Sequence, residues 1–525
     1  MPVHRGIRCH VVTLAAVFSA AGTLALAGCT SGGGPGNAGS SAPGTASAAR
    51  SPLHWSSCSV SGAQGVQMEC ANLQVPLDYS HPDGRKISLA LSMVPATAPA
   101  SQRQGVMLVN PGGPGASGRS LAADVAEGLN PSVAADYDIV GFDPRGVGAS
   151  VPALHCDPSF FSGVRPDYIP ANAAAEQVLI SRAKTYANDC EKRYGWLLPY
   201  MTTEDVARDV DSIRAAMGQQ QITYYAFSYG TYIGEVYGTL FPNRVRRMVL
   251  DSVVDPKGVW YTDNIDQDYA FQARMQAFFS WTAQANSSYQ LGTTAAQVQK
   301  AWYQARSRLK AHPISGPNGP MIGADEFDDT FLLGGYDDTL WPGLAGALSD
   351  YLRNGSTASM ISQYEQNGAQ NENEFAVYNA VQCADVNWPR NWAKWNSDTR
   401  RVYATAPFQA WDNAWYNAAC AFWPVKGPAT PPTVKGTGLP GILMLQGTLD
   451  AATPYAGAQD AHKLLPSARM VVVEGGGNHG QSLEQPPDSC VQNYLNNYLA
   501  NGTLPEHPGL VNATCAPNAP PPPSG

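Results

Sequence analysis

Charge is scarce in this chain, and what there is leans acidic. Only 14% of its 525 residues are Asp, Glu, Lys or Arg, and 33 basic against 42 acidic side chains leave a net charge of −9 at pH 7. The N-terminal stretch carries Arg5 and Arg8 and no acid, so its removal makes the remainder more negative still. This balance argues against nonspecific nucleic-acid binding, which needs a basic face. No glycine fingerprint of the dinucleotide or P-loop kind occurs, no C-x-x-C pair is present and the nine histidines are scattered, so neither a cofactor nor a metal is expected. After the N-terminus there is no run of about 18 apolar residues that would span a bilayer. What remains, 44% hydrophobic, is long enough for one large core and a subdomain.

The N-terminus reads as a targeting segment. Arg5 and Arg8 precede the apolar stretch 11–26, which ends Leu26-Ala27-Gly28-Cys29. This resembles a bacterial lipobox, in which the thiol of Cys29 is lipidated and cleavage leaves it first; an ordinary signal peptide cut nearby is the alternative. Residues 1–28 are thus expected to be a lipoprotein signal peptide and 29–52 a flexible Gly/Ser/Pro tether. The expected location is outside the cell, on the outer face of the cytoplasmic membrane, with release as a further outcome. Eight cysteines remain: Cys58, Cys70, Cys156, Cys190, Cys383, Cys420, Cys490 and Cys515. An even set in an exported chain points to disulfides. On the order of a hundred connectivities are possible, and sequential pairing is the simplest.

The stretch Ile222–Gly234 organises the body. An apolar, aromatic run (Ile222, Tyr224, Tyr225, Phe227) reads as a buried strand, turns at Ser228 between small residues, and continues as a helix over Tyr229–Phe241 stopped by Pro242. Strand, sharp turn with serine, then helix is the context of a nucleophile elbow, although Ala226 stands where glycine is usual. Upstream, Met68–Val75 and Lys86–Val94 alternate like antiparallel strands, and Gly105–Asn110 and Tyr137–Phe142 read as buried strands. The first of these runs into Pro111-Gly112-Gly113-Pro114-Gly115, where so much glycine suggests that the backbone itself is used. The second runs into a turn whose Asp143 and Arg145 are expected to be structural, paired with each other or with nearby backbone. Thr202–Met217 reads as a helix capped by Thr202, and Arg247–Asp251 as another buried strand. This alternation implies a parallel sheet with helices on both faces. Residues 53–256 and 431–515 form its two parts. Between them, 257–430 is rich in Trp, Tyr, Asn and Gln and reads as an inserted, mainly helical cap. The proline-rich tail 516–525 is expected to be disordered.

After the insertion, strand Gly441–Gln446 leads to Asp450, and strand Ala468–Val473 to a glycine-rich loop holding His479. Ser228, Asp450 and His479 thus follow three strands in the order used by α/β-hydrolases. His479 can take the proton of Ser228 during attack, Asp450 can fix the imidazole, and the N–H groups of Gly113 and Tyr229 can receive the oxyanion.

With Asn110-Pro111-Gly112-Gly113-Pro114-Gly115, Gly141-Phe142-Asp143-Pro144-Arg145-Gly146, Ala226-Phe227-Ser228-Tyr229-Gly230, Gln446 through Asp450 to Pro454, and the His479 loop, the chain resembles the secreted tripeptidyl aminopeptidases of the prolyl-aminopeptidase group of α/β-hydrolases. The resemblance covers most of residues 53–515, the four cysteine pairs included. It implies release of short peptides, typically tripeptides, from free N-termini, with Ser228, Asp450 and His479 as nucleophile, acid and base and Gly113 in the oxyanion hole. The expected partners are peptide substrates and, through the lipid alone, a membrane; a monomer is expected. An aminopeptidase must hold an α-ammonium, for which Glu374 and Asp385 are the candidates, while Glu365 and Glu372 read as solvated. The alternatives are an esterase or lipase of the same fold and a non-enzymatic binding lipoprotein, which the intact Ser–Asp–His set disfavours.

Overall fold

The computed structural model describes residues 53–316 and 319–523. Cys29 and the expected leader and tether lie outside the described residues.

Ten strands form one sheet in the order β1-β2-β3-β5-β4-β6-β7-β10-β11-β12. They are β1 (Ser56–Cys58), β2 (Met68–Pro76), β3 (Lys86–Val94), β4 (Gly105–Asn110), β5 (Tyr137–Asp143), β6 (Ile222–Phe227), β7 (Val245–Asp251), β10 (Ile442–Gly447), β11 (Ala468–Val473) and β12 (Ala513–Cys515). The remaining two, β8 (Ile314–Gly316) and β9 (Gly319–Ile322), pair as a separate antiparallel ribbon. β1, β2 and β3 run antiparallel to their neighbours and the rest are parallel. The parallel strands are apolar on both faces because both are covered. In β6 all six residues are buried, with Tyr224 and Ala226 in one hydrophobic cluster and Tyr225 and Phe227 in the other.

β4 has β5 on one side and β6 on the other. The order of the strands reverses there, which opens a crevice beyond their C-terminal ends. The loop after β4 and the turn after β6 face each other across it. The helix Thr203–Ala216 feeds β6; Thr202 caps it by accepting the Asp205 N–H at 3.1 Å. Asp143 and Arg145 are structural, but not as a pair. Arg145 makes a two-pronged contact with Asp209, 2.8 Å at each prong, while Asp143 accepts from the Ser117 hydroxyl (2.5 Å) and the Ala149 N–H (2.8 Å).

β7 and β10 are neighbours, yet almost two hundred residues of sequence separate them. This insertion is mainly helical but packs in two ways. Helices Tyr261–Gln284, Ala295–Ala311, Ala324–Leu332 and Trp341–Ser349 enclose a core of their own around Phe278, Trp302 and Phe331. The later part, with Phe375, Trp388, Trp395 and Trp423, merges into the main core beside the sheet. The four cysteine pairs are 58–70, 156–190, 383–420 and 490–515. The C-terminal stretch, expected to be disordered, is instead held: Asn518 donates to Glu484 (2.8 Å), and the Pro521 carbonyl accepts from the Trp281 indole (3.0 Å). Among the described residues no helix is long and apolar enough to cross a membrane.

Candidate active site

β6 ends at Phe227, and the helix Tyr229–Leu240 begins one residue after Ser228. Ser228 sits between them at φ 54° and ψ −133°. A non-glycine residue there stores roughly 1–3 kcal/mol of strain, which the surrounding contacts hold in place. Its N–H donates to the Asp251 carbonyl at 3.1 Å, and the Thr231 N–H closes the turn on the Ser228 carbonyl at 2.8 Å. The turn needs close packing. A Cβ on Gly230 would lie 2.6 Å from Asn110 Oδ1 and 3.1 Å from the Ala226 methyl, so Ala226 crowds the elbow without blocking it.

The loop after β4 lies directly on this turn. A Cβ on Gly112 would stand 2.7 Å from the Phe227 carbonyl and 2.9 Å from both Ser228 Cβ and the Tyr229 nitrogen. Gly112 and Gly113 hold φ near +100°, open to glycine alone, and Asn110 Oδ1 accepts the Gly112 N–H at 2.9 Å. The N–H groups of Gly113 and Tyr229 donate to no other backbone group or side chain among the described residues. Tyr229 opens its helix, so its N–H has no intrahelical acceptor.

His479 and Asp450 meet at the same edge of the sheet. His479 Nδ1 is 3.0 Å from both oxygens of Asp450. The carboxylate also accepts the N–H groups of Ala452 (3.0 Å) and Thr453 (3.1 Å) and the Thr453 hydroxyl (3.1 Å). Burial alone would lower the basicity of His479, but the charge and hydrogen bond of Asp450, with Asp251 behind it, outweigh burial and raise its pKa above the ordinary 6.5. His479 Nε2 is buried and bonded to no protein group. It is therefore free to receive a proton.

The inserted segment grips this loop. The His479 N–H donates to the Tyr336 carbonyl at 2.7 Å, and the two rings meet edge to face at 5.4 Å. Asn478 accepts from the Asp338 N–H (3.0 Å) and from Arg274 (3.2 Å).

The two acids expected to receive an α-ammonium part company. Asp385 is buried and committed: it accepts the Thr203 N–H and hydroxyl, each at 2.6 Å, and the Trp260 indole at 3.1 Å. That expectation is corrected. Burial raises its pKa to about 7, despite those bonds. Glu374 is partly exposed and lies beside the loop after β4, since a Cβ on Gly115 would be 2.5 Å from its carbonyl oxygen. Burial raises its pKa. Its carboxylate is bonded to no group among the described residues. Glu372 is not a solvated residue. Its Oε1 accepts the N–H groups of Cys156 (2.8 Å) and Asp157 (3.0 Å) and the Tyr186 hydroxyl (2.8 Å).

Two acids escaped the sequence reading. Asp412, on Ala410–Asn417, is 8% exposed, and its carboxylate has no hydrogen-bond partner among the described residues. Its charge and that of Glu374 both act on Tyr336, the residue against His479. Asp251 ends β7 and bonds the loop after His479. Nothing local marks either one. Asp251 acts through bonds to residues more than two hundred positions away, and Asp412 through its charge on Tyr336. No group of His, Cys, Asp and Glu that could hold a metal occurs among the described residues.

A family model described as the alpha/beta hydrolase fold matches residues 105–485. A tripeptidyl aminopeptidase of Streptomyces lividans is 40% identical over 490 residues, covering 91% of this chain and 89% of that protein. The serine protease Hip1 of Mycobacterium tuberculosis is 32% identical, covering 86% and 90%. A carboxylesterase B of the same species is also 32% identical, covering 88% and 90%. Together with the elbow and the histidine–carboxylate pair, these likenesses identify the chain as a serine hydrolase with an α/β-hydrolase fold that belongs to the tripeptidyl aminopeptidase family.

Proposed function

We propose that this chain is an exported serine exopeptidase, held to the membrane by lipid on Cys29, that releases tripeptides from free N-termini through an acyl-enzyme. The observation that carries the reading is the His479–Asp450 pair at 3.0 Å beside a serine held in a strained strand-to-helix turn. Ser228 Oγ attacks the scissile carbonyl as its proton passes to His479 Nε2. Asp450 holds the tautomer and stabilises the imidazolium. The oxyanion is received by the N–H groups of Gly113 and Tyr229, each worth about 3–4 kcal/mol in the transition state. Collapse expels the amine, which takes the proton from His479. Water, deprotonated by the same imidazole, then releases the tripeptide and restores Ser228.

The segment 257–430 acts as the cap that selects the substrate. Glu374 receives the substrate α-ammonium, assisted by Asp412. Both are carboxylates without a protein partner near Tyr336, and an incoming ammonium would give them one. Fluorophosphonate labelling of the wild type, lost in Ser228→Ala, tests the nucleophile. A tripeptide anilide and its N-acetylated form, assayed beside an acyl ester, test the substrate. Acetylation should abolish turnover of the peptide, and Glu374→Gln should raise KM for the free amine by about tenfold, a loss near 1.4 kcal/mol. An unchanged KM in Glu374→Gln would remove the ammonium assignment. Turnover of the ester alone would favour the second reading, an esterase, which the carboxylesterase B relative keeps in view.

A further inference from the structure

Asp251 is the last residue of β7 and sits in register with Phe227 on one side and Leu445 on the other. It is fully buried. Its carbonyl accepts the Ser228 N–H at 3.1 Å. Its carboxylate reaches the other way: Oδ1 accepts the Gln481 N–H at 2.9 Å, and Oδ2 the Ser482 N–H at 2.8 Å together with the Ser482 hydroxyl, which also meets the Tyr225 hydroxyl. The next residue, Ser252, is held at φ 58° and accepts the Gly480 N–H on Oγ at 2.8 Å. Three successive N–H groups following His479 therefore end on two successive residues, and one of these also receives the nucleophile's own N–H. Burying a carboxylate costs several kcal/mol unless it is paired or well hydrogen-bonded. Burial lifts the Asp251 pKa to about 6, against the opposing bonds from the loop and the charge of His479. A neutral side chain could end the strand at lower cost, so a charge here calls for a use.

We propose that Asp251 is a positioning residue for the reaction, which fixes the base loop to the nucleophile turn and adds its negative charge to that of Asp450 in stabilising the His479 imidazolium. The inference rests on the assignment of Ser228 and His479 as nucleophile and base. His479 is faced by Asp450 from the loop after β10, by Asp251 from β7 and by the Tyr336 ring from the inserted segment; Arg274 stands beyond Asn478. Asp251 is faced by Tyr225 from β6, by Ser482 and His479, and at longer range by Glu484.

Asp251→Asn keeps the shape, removes the charge and turns an amide toward N–H donors. The expected result on a tripeptide anilide is a fall in kcat of about tenfold or more, with KM within about twofold of wild type. Loss of a neighbouring anion disfavours the imidazolium, so the acid limb of kcat/KM, set by the imidazole whose pKa Asp450 and Asp251 raise, should move to lower pH than in the wild type. A residue that only held the fold together would not move that limb. Wild-type kcat would overturn the proposal, and so would a fall in kcat with the acid limb unmoved. Labelling of the wild type and its loss in Ser228→Ala report on the nucleophile separately, so the two assignments fail independently. Should Asp251→Asn not fold, Ser482→Ala decides: it removes the hydroxyl that donates to Asp251 Oδ2, so the carboxylate holds its proton more readily and supports the imidazolium less. It should lower kcat by about threefold or more and move the acid limb to lower pH, and an unmoved acid limb in that variant would overturn the proposal.

Discussion

A methyl group at position 112 would have nowhere to go. It would approach the Phe227 carbonyl, Ser228 Cβ and the Tyr229 nitrogen to within 2.9 Å, on a residue whose φ of +100° already favours glycine. None of the three can yield, because each belongs to the strained turn that presents the serine. Gly112→Ala is therefore expected to abolish labelling by fluorophosphonate, although Gly112 carries no reacting atom. Ala226→Gly should keep wild-type activity, since the Ala226 methyl stands 3.1 Å from where a Gly230 Cβ would be, and Gly230 has none. A labelled Gly112→Ala would mean that the loop after β4 is free to withdraw from the elbow. At this scale the sequence was most readable where chemistry needs a particular residue type at a particular bend. Ser228, Asp450 and His479 each follow a strand and could be found in order. Glu372 could not, because its four contacts come from residues some two hundred positions away. Asp385 misled for the converse reason: nearness to Cys383 said nothing of Thr203 and Trp260, which occupy it.

Between elements, the decisive contact is the one from the inserted segment to the base loop. The Tyr336 carbonyl takes the His479 N–H, and Asn478 bridges Asp338 and Arg274. His479 is thus carried by the core and steadied by the insertion, so any movement of the insertion is felt there. Asn478→Ala leaves both the imidazole and Asp450 in place and removes only the bridge. About 1–2 kcal/mol of positioning should go with it, read as a fall in kcat of roughly tenfold on a tripeptide anilide, with fluorophosphonate labelling slowed to the same degree. Wild-type kcat in that variant would show that the Tyr336 contact suffices. The longer strands of the sheet were legible almost to the residue, since buried parallel strands are short apolar runs; the short β1, β8, β9 and β12 were not read. Nor were the helices Ala173–Tyr194, Glu372–Asp385, Trp392–Tyr403 and Ala410–Asn417. The first is polar along much of its length. Trp392–Tyr403 buries Trp395, Asp398, Thr399 and Val402 at helical spacing, but half of that face is polar; Glu372–Asp385 and Ala410–Asn417 bury Asn and Asp among their apolar residues. Where buried positions are polar, hydrophobicity alone does not trace the helical period.

Across the whole molecule, crosslinks and the C-terminal arm brace the fold far from the site. The pairs 383–420 and 156–190 each close a loop within one segment, the later part of the insertion and the segment before the elbow, and all four of these cysteines are buried in the main core. Residues 516–523 cross from β12 past Glu484 to Trp281. All of this lies in residues 53–523, and four disulfides fit an environment outside the cytoplasm. If Cys29 carries lipid, the anchor and the catalyst are separable. A diacylated cysteine contributes two buried chains, enough for stable anchoring where one would not be. The full-length protein, expressed in a bacterium that processes lipoproteins, should then partition into the detergent phase on cloud-point extraction. Cys29→Ala should move to the aqueous phase with kcat/KM on a soluble tripeptide anilide within about twofold of the anchored form, because no residue of the site is touched. Aqueous partitioning of the wild type would remove the anchor and leave the peptidase reading standing. Detergent partitioning of Cys29→Ala would place the membrane contact away from the thiol, in the apolar stretch 11–26 left uncleaved or in the catalytic body, where no described helix is long and apolar enough to provide a span.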